Sequence, residues 1–208
     1  EKTLVSRAVH TAVLFSVLIG AVMTVLGITM ARPTLILLDP PEGTLEDSVV
    51  YLQWYFAGMI PSMIYNMGAG ILRAVGDSRR PLYFLIVCAA ANTVLDLLFV
   101  AVFGMGTAGA AIATSLSQLI CAVLVLYTLA RASGACRLHL SKLHMDRGLL
   151  ARMVAIGLPA GLASVMYCAA NVIIQRAINL LGTNAAAAWS IYWKLDGIYW
   201  PISSAIGI

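Results

Sequence analysis

Hydrophobic positions along the 208-residue chain gather into six long apolar runs separated by short polar segments. They are Val9–Ala31, Val49–Leu72, Leu82–Phe103, Thr107–Ala130, roughly Met153–Leu181, and a last run that opens near Ala185 and continues to Ile208. At 1.5 Å rise per residue the first four are each about 33–36 Å long as helices, enough to cross a hydrocarbon core of about 30 Å. The pattern predicts an all-α, polytopic transmembrane helix bundle. Pro33, Pro40, Pro41 and Gly43 are expected to break the chain after the first span, and Gly104–Gly106 to form a tight turn between the third and fourth. Pro61 in mid-span and Pro159 after Gly157 each remove a helix hydrogen bond and mark bends.

Composition agrees with the pattern. The chain is 61% hydrophobic and 11% charged, against about 25% charged in globular proteins. Val9–Ala31 is too long for the apolar core of a signal peptide and lacks a small-residue cleavage site, so it reads as a true span. The chain opens on Glu1 and stops inside an apolar run, which is expected of part of a longer protein.

Charge sets the orientation. If each run crosses once, one side carries Lys2, Arg7, Arg73, Arg79, Arg80, Arg131, Arg137, Lys142, Arg147 and Arg152, and the other Arg32 with Asp39, Glu42, Glu46 and Asp47. This bias places segments 73–81 and 131–152 in the cytoplasm, as in a bacterial or archaeal plasma membrane. The pI near 9.0 therefore reflects topology and not a nucleic-acid partner. Arg131–Gly148, polar and basic, divides the chain into 1–131, a linking loop 132–150, and 151–208. The loops are too short to hold a soluble catalytic domain.

Inside the third run, Asn92 and Asp96 lie one helical turn apart and share a face. Asp96 is seven residues before Phe103 and Thr114 seven after Thr107, so the two should sit at one depth on antiparallel neighbours. The same reasoning levels Asn92 with Gln118, with Ser117 close by. Ala108, Gly109, Ala110, Ala111 and Ala113 would let the two helices approach closely. An Asp at mid-helix costs about 2.5–3.5 kcal/mol on insertion scales, and neither span holds a Lys or Arg near enough to pair with it. Carboxylate, amide and hydroxyl oxygens suit Na⁺, and a desolvated acid also takes up H⁺. The alternative is that these residues only join helices by hydrogen bonds.

A second constellation lies in the last run, where Trp189, Trp193, Asp196 and Trp200 follow one helical face. Aromatic faces around an acid suit an organic cation; an interfacial aromatic belt, with Lys194 and Asp196 reaching towards water, is the other reading. Arg176 also reaches to the interface. Cys88, Cys121, Cys136 and Cys168 lack metal-ligand spacing and read as small apolar fillers. His10, His139 and His144 read as solvated or headgroup-level side chains, with no metal site. No nucleophile–base pair or phosphate loop points to an enzyme, and no cofactor is implied.

The stretches GAGILRAVGDSRRPL (Gly68–Leu82), NTVLDLLFV (Asn92–Val100), FGMGTAGAAIATSLSQ (Phe103–Gln118) and IGLPAGL (Ile156–Leu162) resemble the multidrug and toxic compound extrusion (MATE) family. The resemblance covers essentially the whole chain. It implies a twelve-span transporter of two six-helix lobes, here represented by spans three to six, the linking loop, span seven and part of span eight. It implies export of organic cations and other amphipathic compounds, driven by Na⁺ or H⁺ entry, by a protein that works as a monomer among membrane lipids. In the DinF-like branch the N-lobe cation site is an Asn and an Asp one turn apart on span five, a Thr on span six, and an Asp on span one. Asn92, Asp96 and Thr114 match the first three, Tyr51 resembles a span-four tyrosine of that site, and the span-one acid would lie upstream of Glu1. The NorM-like branch carries a span-seven glutamate where this chain has Tyr167, which leans the likeness towards DinF. Related lipid-linked oligosaccharide flippases share the architecture, but would need a cationic cavity that the spans, with only Arg176 and Lys194, do not supply.

Overall fold

The computed structural model describes residues 2–38, 45–132, 137–139, 143–180 and 183–206. All described elements are helical: α1 (Lys2–Leu38), α2 (Leu45–Ala57), α3 (Met59–Ala74), α4 (Arg79–Asp96), a π-helical segment (Leu97–Val102), α5 (Gly106–Arg131), α6 (Arg147–Leu180) and α7 (Thr183–Ile206). Glu1–Leu150 form one compact unit and Ala151–Ile208 another. Among the described residues, Thr3–Ile36, Arg79–Val102, Gly106–Arg131 and Arg147–Ile178 are long and apolar enough to cross a membrane, with mean hydropathies of 2.4, 2.3, 2.0 and 1.7.

Two breaks differ from the sequence expectation. Pro33 does not end the first span, because α1 runs through it to Leu38. A proline there frees only the carbonyl one turn earlier, on exposed Thr29, and the end of the helix is near. Pro40, Pro41 and Gly43 lie outside the described residues. The second run is not one helix. It parts at Gly58 into α2 and α3, with Pro61 in the first turn of α3, where its missing N–H is tolerated.

The parting is held from both sides. Ser115 of α5 donates its hydroxyl to the Trp54 carbonyl at 2.7 Å, and Thr24 of α1 donates to the Phe56 carbonyl at 2.9 Å. These are carbonyls of the last turn of α2, where a helix end leaves acceptors short of partners. Both approaches need small residues. A Cβ on Gly58 would stand 2.7 Å from Ser115 Oγ, and one on Gly20 would stand 2.8 Å from the Ile60 Cα. Gly27, seven residues beyond Gly20, meets the Phe56 ring in the same way.

α4 and α5 form an antiparallel hairpin turned by Gly104 and Gly106, whose φ values of 65° and 57° favour glycine. Close packing of small residues extends along α5: Ala111 and Ala113 are wholly buried, and a Cβ on Gly109 would meet the Phe99 Cβ at 3.0 Å. In lipid such contact, rather than expulsion of water, draws helices together. The tightest core lies towards the other end of the unit, where Val9, Val13, Tyr65, Ala69, Leu72, Val125 and Leu129 pack with Leu138 from the segment after α5. Cys88 and Cys121 also lie there, and the structure joins them in a disulfide with Cα atoms 6.1 Å apart. This corrects their reading as fillers. Opposed positions on a tightly packed hairpin bring together cysteines whose spacing of 33 residues carries no local signal. Cys168 is free and exposed, and Cys136 lies outside the described residues.

Candidate functional site

Asp96 is the last residue of α4, at the point where the helix widens into the π-helical segment. Phe103 N–H bonds the Leu98 carbonyl at 3.0 Å, five residues back. Such widened turns recur at functional sites, and nothing in the residue pattern announced this one. Asp96 Oδ1 and Asn92 Nδ2 are buried atoms without a hydrogen-bond partner among the described residues. A buried polar atom left unpaired costs about 1–3 kcal/mol, and more when charged.

Two contacts fix the depth of these residues against α5: Phe99 lies opposite Gly109, and Cys88 opposite Cys121. Interpolating, Asp96 is level with about Ile112 and Asn92 with about Ser117, about two and one residues short of the sequence-derived partners Thr114 and Gln118. Thr114 and Gln118, however, line a cavity of about 30 Å³ with Tyr55, Gly58, Met59, Ser62 and Ser115. They therefore border the α2–α3 parting. Thr114 Oγ1 donates to the Ala110 carbonyl at 3.0 Å, and the buried Ser117 hydroxyl to the Thr114 carbonyl at 2.8 Å. The cavity has room for one water-sized guest. Tyr51 stacks on Tyr55 with centroids 6.4 Å apart and lines a separate groove of about 400 Å³ with Leu35, Asp47, Ser48, Leu52 and Thr107. Asn92 and Asp96 line neither space.

In the second unit, Trp189 meets Trp193 edge-on at 6.1 Å and stacks on Tyr192 at 5.0 Å. Trp189 Nε1 is buried without a partner among the described residues. Trp200 instead meets Tyr199 at 6.2 Å, and Asp196 is half-buried. Tyr192, adjacent to Trp193 in sequence, was missed because the face was defined by tryptophans alone.

His139 and His144 are exposed, as the sequence predicts, but His10 is not. His10 is 3% exposed, and its ring stacks near His139 and His144, with centroids 6.2 and 5.9 Å away. The segment after α5 folds back on α1 and buries it, an effect that no spacing rule detects. No group of three or more metal-ligating side chains is assembled among the described residues. Beside them Asp146 caps α6, accepting from Gly148 N–H at 2.9 Å and Leu149 N–H at 3.1 Å, and pairs with Arg7. The Leu149 N–H, then Arg7, the Gly148 N–H and His144 hold its carboxyl below the usual carboxylate range, against an opposing push from burial.

Residues 1–98 match the model of the MatE family. A Bacillus subtilis protein named "Probable multidrug resistance protein YpnP" is 32% identical over 173 residues, covering 83% of this chain and 38% of that protein. A Shewanella oneidensis protein named "FAD transporter" is 26% identical over 195 residues, covering 91% and 43%. The solved structure of a MOP superfamily transporter from Pyrococcus furiosus superposes with a TM-score of 0.83 at 24% identity, over 93% of this chain and 44% of that one. That likeness establishes the fold, a helical membrane bundle of the same architecture. The chain spans about two fifths of the length of the curated relatives it matches.

Proposed function

We propose that the chain belongs to the MATE family of membrane transporters, a reading that its match to the MatE family model over residues 1–98 and its likeness to YpnP support, and that it forms the cation-coupling part of a multidrug antiporter of the DinF-like branch. Asp96 holds Na⁺ or H⁺, assisted by Asn92, while Thr114, Gln118 and Tyr51 line separate spaces on the neighbouring helices and would reach the cation only through a rearrangement of the lobe. One observation carries the reading. The Asp96 carboxylate oxygen Oδ1 is buried in a membrane helix with no protein partner among the described residues, so a bound cation or proton is its natural complement. Glu1–Leu150 then belong to the N-lobe and its linking loop, Ala151–Ile208 open the C-lobe, and the basic segments face the cytoplasm.

Coupling follows from differential affinity. Cation binding at Asp96 favours one conformation of the lobe and drug binding the other, so each drives release of the other. The Trp189–Tyr192–Trp193 cluster, with Asp196 and Trp200 on the same helix, supplies flat aromatic faces for a planar organic cation at about 0.5–2 kcal/mol per contact. The similarity to a protein named for FAD supports a second cargo class, a flavin stacking on the same rings.

The test is transport by the antiporter that carries this chain, reconstituted in proteoliposomes. Wild type is expected to move a fluorescent organic cation against its gradient under either an imposed Na⁺ or an imposed H⁺ gradient. Asp96→Asn, close in shape but unable to neutralise a cation or release a proton, is expected to fall at least tenfold while inserting normally. Undiminished pumping by Asp96→Asn would refute the coupling role, and FAD efflux under the same gradients separates the two cargo classes.

A further inference from the structure

We infer that His10, with His139 and His144, forms a second proton site, outside the membrane-embedded one: a latch that holds the segment leading into α6 against α1 and opens on acidification. Both nitrogens of His10 are engaged. Nδ1–H donates to the Ser6 carbonyl at 2.6 Å, and Nε2 accepts the His139 backbone N–H at 3.2 Å. Only the neutral ring with its proton on Nδ1 can do both. A second proton on Nε2 would set one N–H against another, on a ring 3% exposed, with two more imidazoles about 6 Å away. The bond to the segment is then lost, and the charged ring gains solvation only by leaving.

What the latch holds is defined by the neighbouring contacts. Leu138 N–H bonds the Leu129 carbonyl at 3.0 Å and its side chain enters the core beside Val9 and Val13. Asp146 N–H donates to Thr11 Oγ1 at 3.0 Å, one residue along α1 from His10. Three backbone N–H bonds, one apolar plug and one ion pair thus tie Leu138, His139 and Asp146 to α1 and α5, and the bond to His10 is the one that a second imidazole proton breaks.

His139 and His144 are exposed imidazoles beside His10 and belong to the same cluster; the remaining titratable groups do not supply the same response. On α1, Arg7 is engaged by Asp146. On the docked segment, Arg137 is exposed, and Asp146 stays ionised through the imidazole range because its carboxyl is held low. α3, packed against α1, brings Tyr65, whose hydroxyl donates to the Pro81 carbonyl, and Arg73 in its last turn. α2 also packs against α1, but its acids Glu46 and Asp47 lie near Arg32, about 33 Å along the helix from His10. The sign is therefore set by imidazole: the neutral Nδ1–H ring closes the latch and a second proton opens it, so the latch opens as pH falls. Its outcome is independent of whether Asp96 carries the coupling ion.

Hydrogen–deuterium exchange of the peptide containing the Leu138 and His139 amides tests this, in lipid nanodiscs at pH 7.5 and 5.5 with intrinsic rates corrected. Wild type is expected to lose at least tenfold in protection at the lower pH. His10→Gln, whose amide oxygen can accept the His139 N–H and does not titrate, is expected to show pH-independent protection. His139→Ala keeps the backbone N–H and is expected to retain the pH response. Equal protection at both pH values in wild type overturns the proposal, as does a pH response that persists in His10→Gln. If His10→Gln does not fold, wild type and His139→Ala still decide: a response missing from either rejects the latch.

Discussion

Asp96 is the residue whose position is hardest to explain by packing. An ionised carboxylate without a partner is opposed by desolvation, and an apolar side chain there would cost nothing of the kind. Its burial beside Asn92 supports the proposal of a ligand, and the sequence singled out both residues by a spacing of four and by the lack of any nearby cation. His10 was not legible, because the segment that buries it approaches from 129 residues away in sequence. Glycines show the same contrast between local and tertiary meaning. Gly20 and Gly70 are both helical, but a Cβ on Gly20 would strike the α3 backbone while one on Gly70 would meet nothing within 4 Å. Gly20→Ala is expected to destabilise by about 1–3 kcal/mol, whereas Gly70→Ala should be neutral or stabilising by up to about 1 kcal/mol through helix propensity. Thermal unfolding of the two variants in detergent, compared with wild type, checks the difference in sign.

The helices themselves were largely readable, since long apolar runs admit few alternatives in lipid. Their interruptions were less so. Proline frees a carbonyl, but whether the helix then parts depends on what receives that group and what lies beside it. At Pro33 the helix continues. Before Pro61 it parts, and hydroxyls from Thr24 and Ser115 serve the carbonyls of the turn above. Thr24→Val keeps the shape and removes the donor, so it is expected to cost about 1 kcal/mol, the usual net contribution of one such bond. Ser115→Ala should cost a similar amount. The double variant should show coupling, because both hydroxyls hold the same turn of α2. Strict additivity in the double-mutant cycle would mean that the parting is set by Gly58 and Pro61 alone.

For the whole molecule, register could be read from the sequence and facing could not. Counting outward from one tight turn came within about two residues of the depth at which Asp96 and Asn92 lie against α5. It did not foresee that Thr114 and Gln118 border the α2–α3 parting, because the facing of a helix is settled by all its neighbours together. The widened turn after Asp96 and the parting both lie in Glu1–Leu150, which under the proposed coupling makes that unit the place where a cation would be felt as a change of shape. The most direct test of this account is cation release on drug binding. The whole protein, purified in weakly buffered detergent, is titrated with an organic cation while H⁺ release is followed with an indicator and Na⁺ release with a radioactive tracer. Wild type is expected to release close to one H⁺ or one Na⁺ per drug bound, and Asp96→Asn to bind drug while releasing neither; release by Asp96→Asn equal to that of wild type would contradict the account.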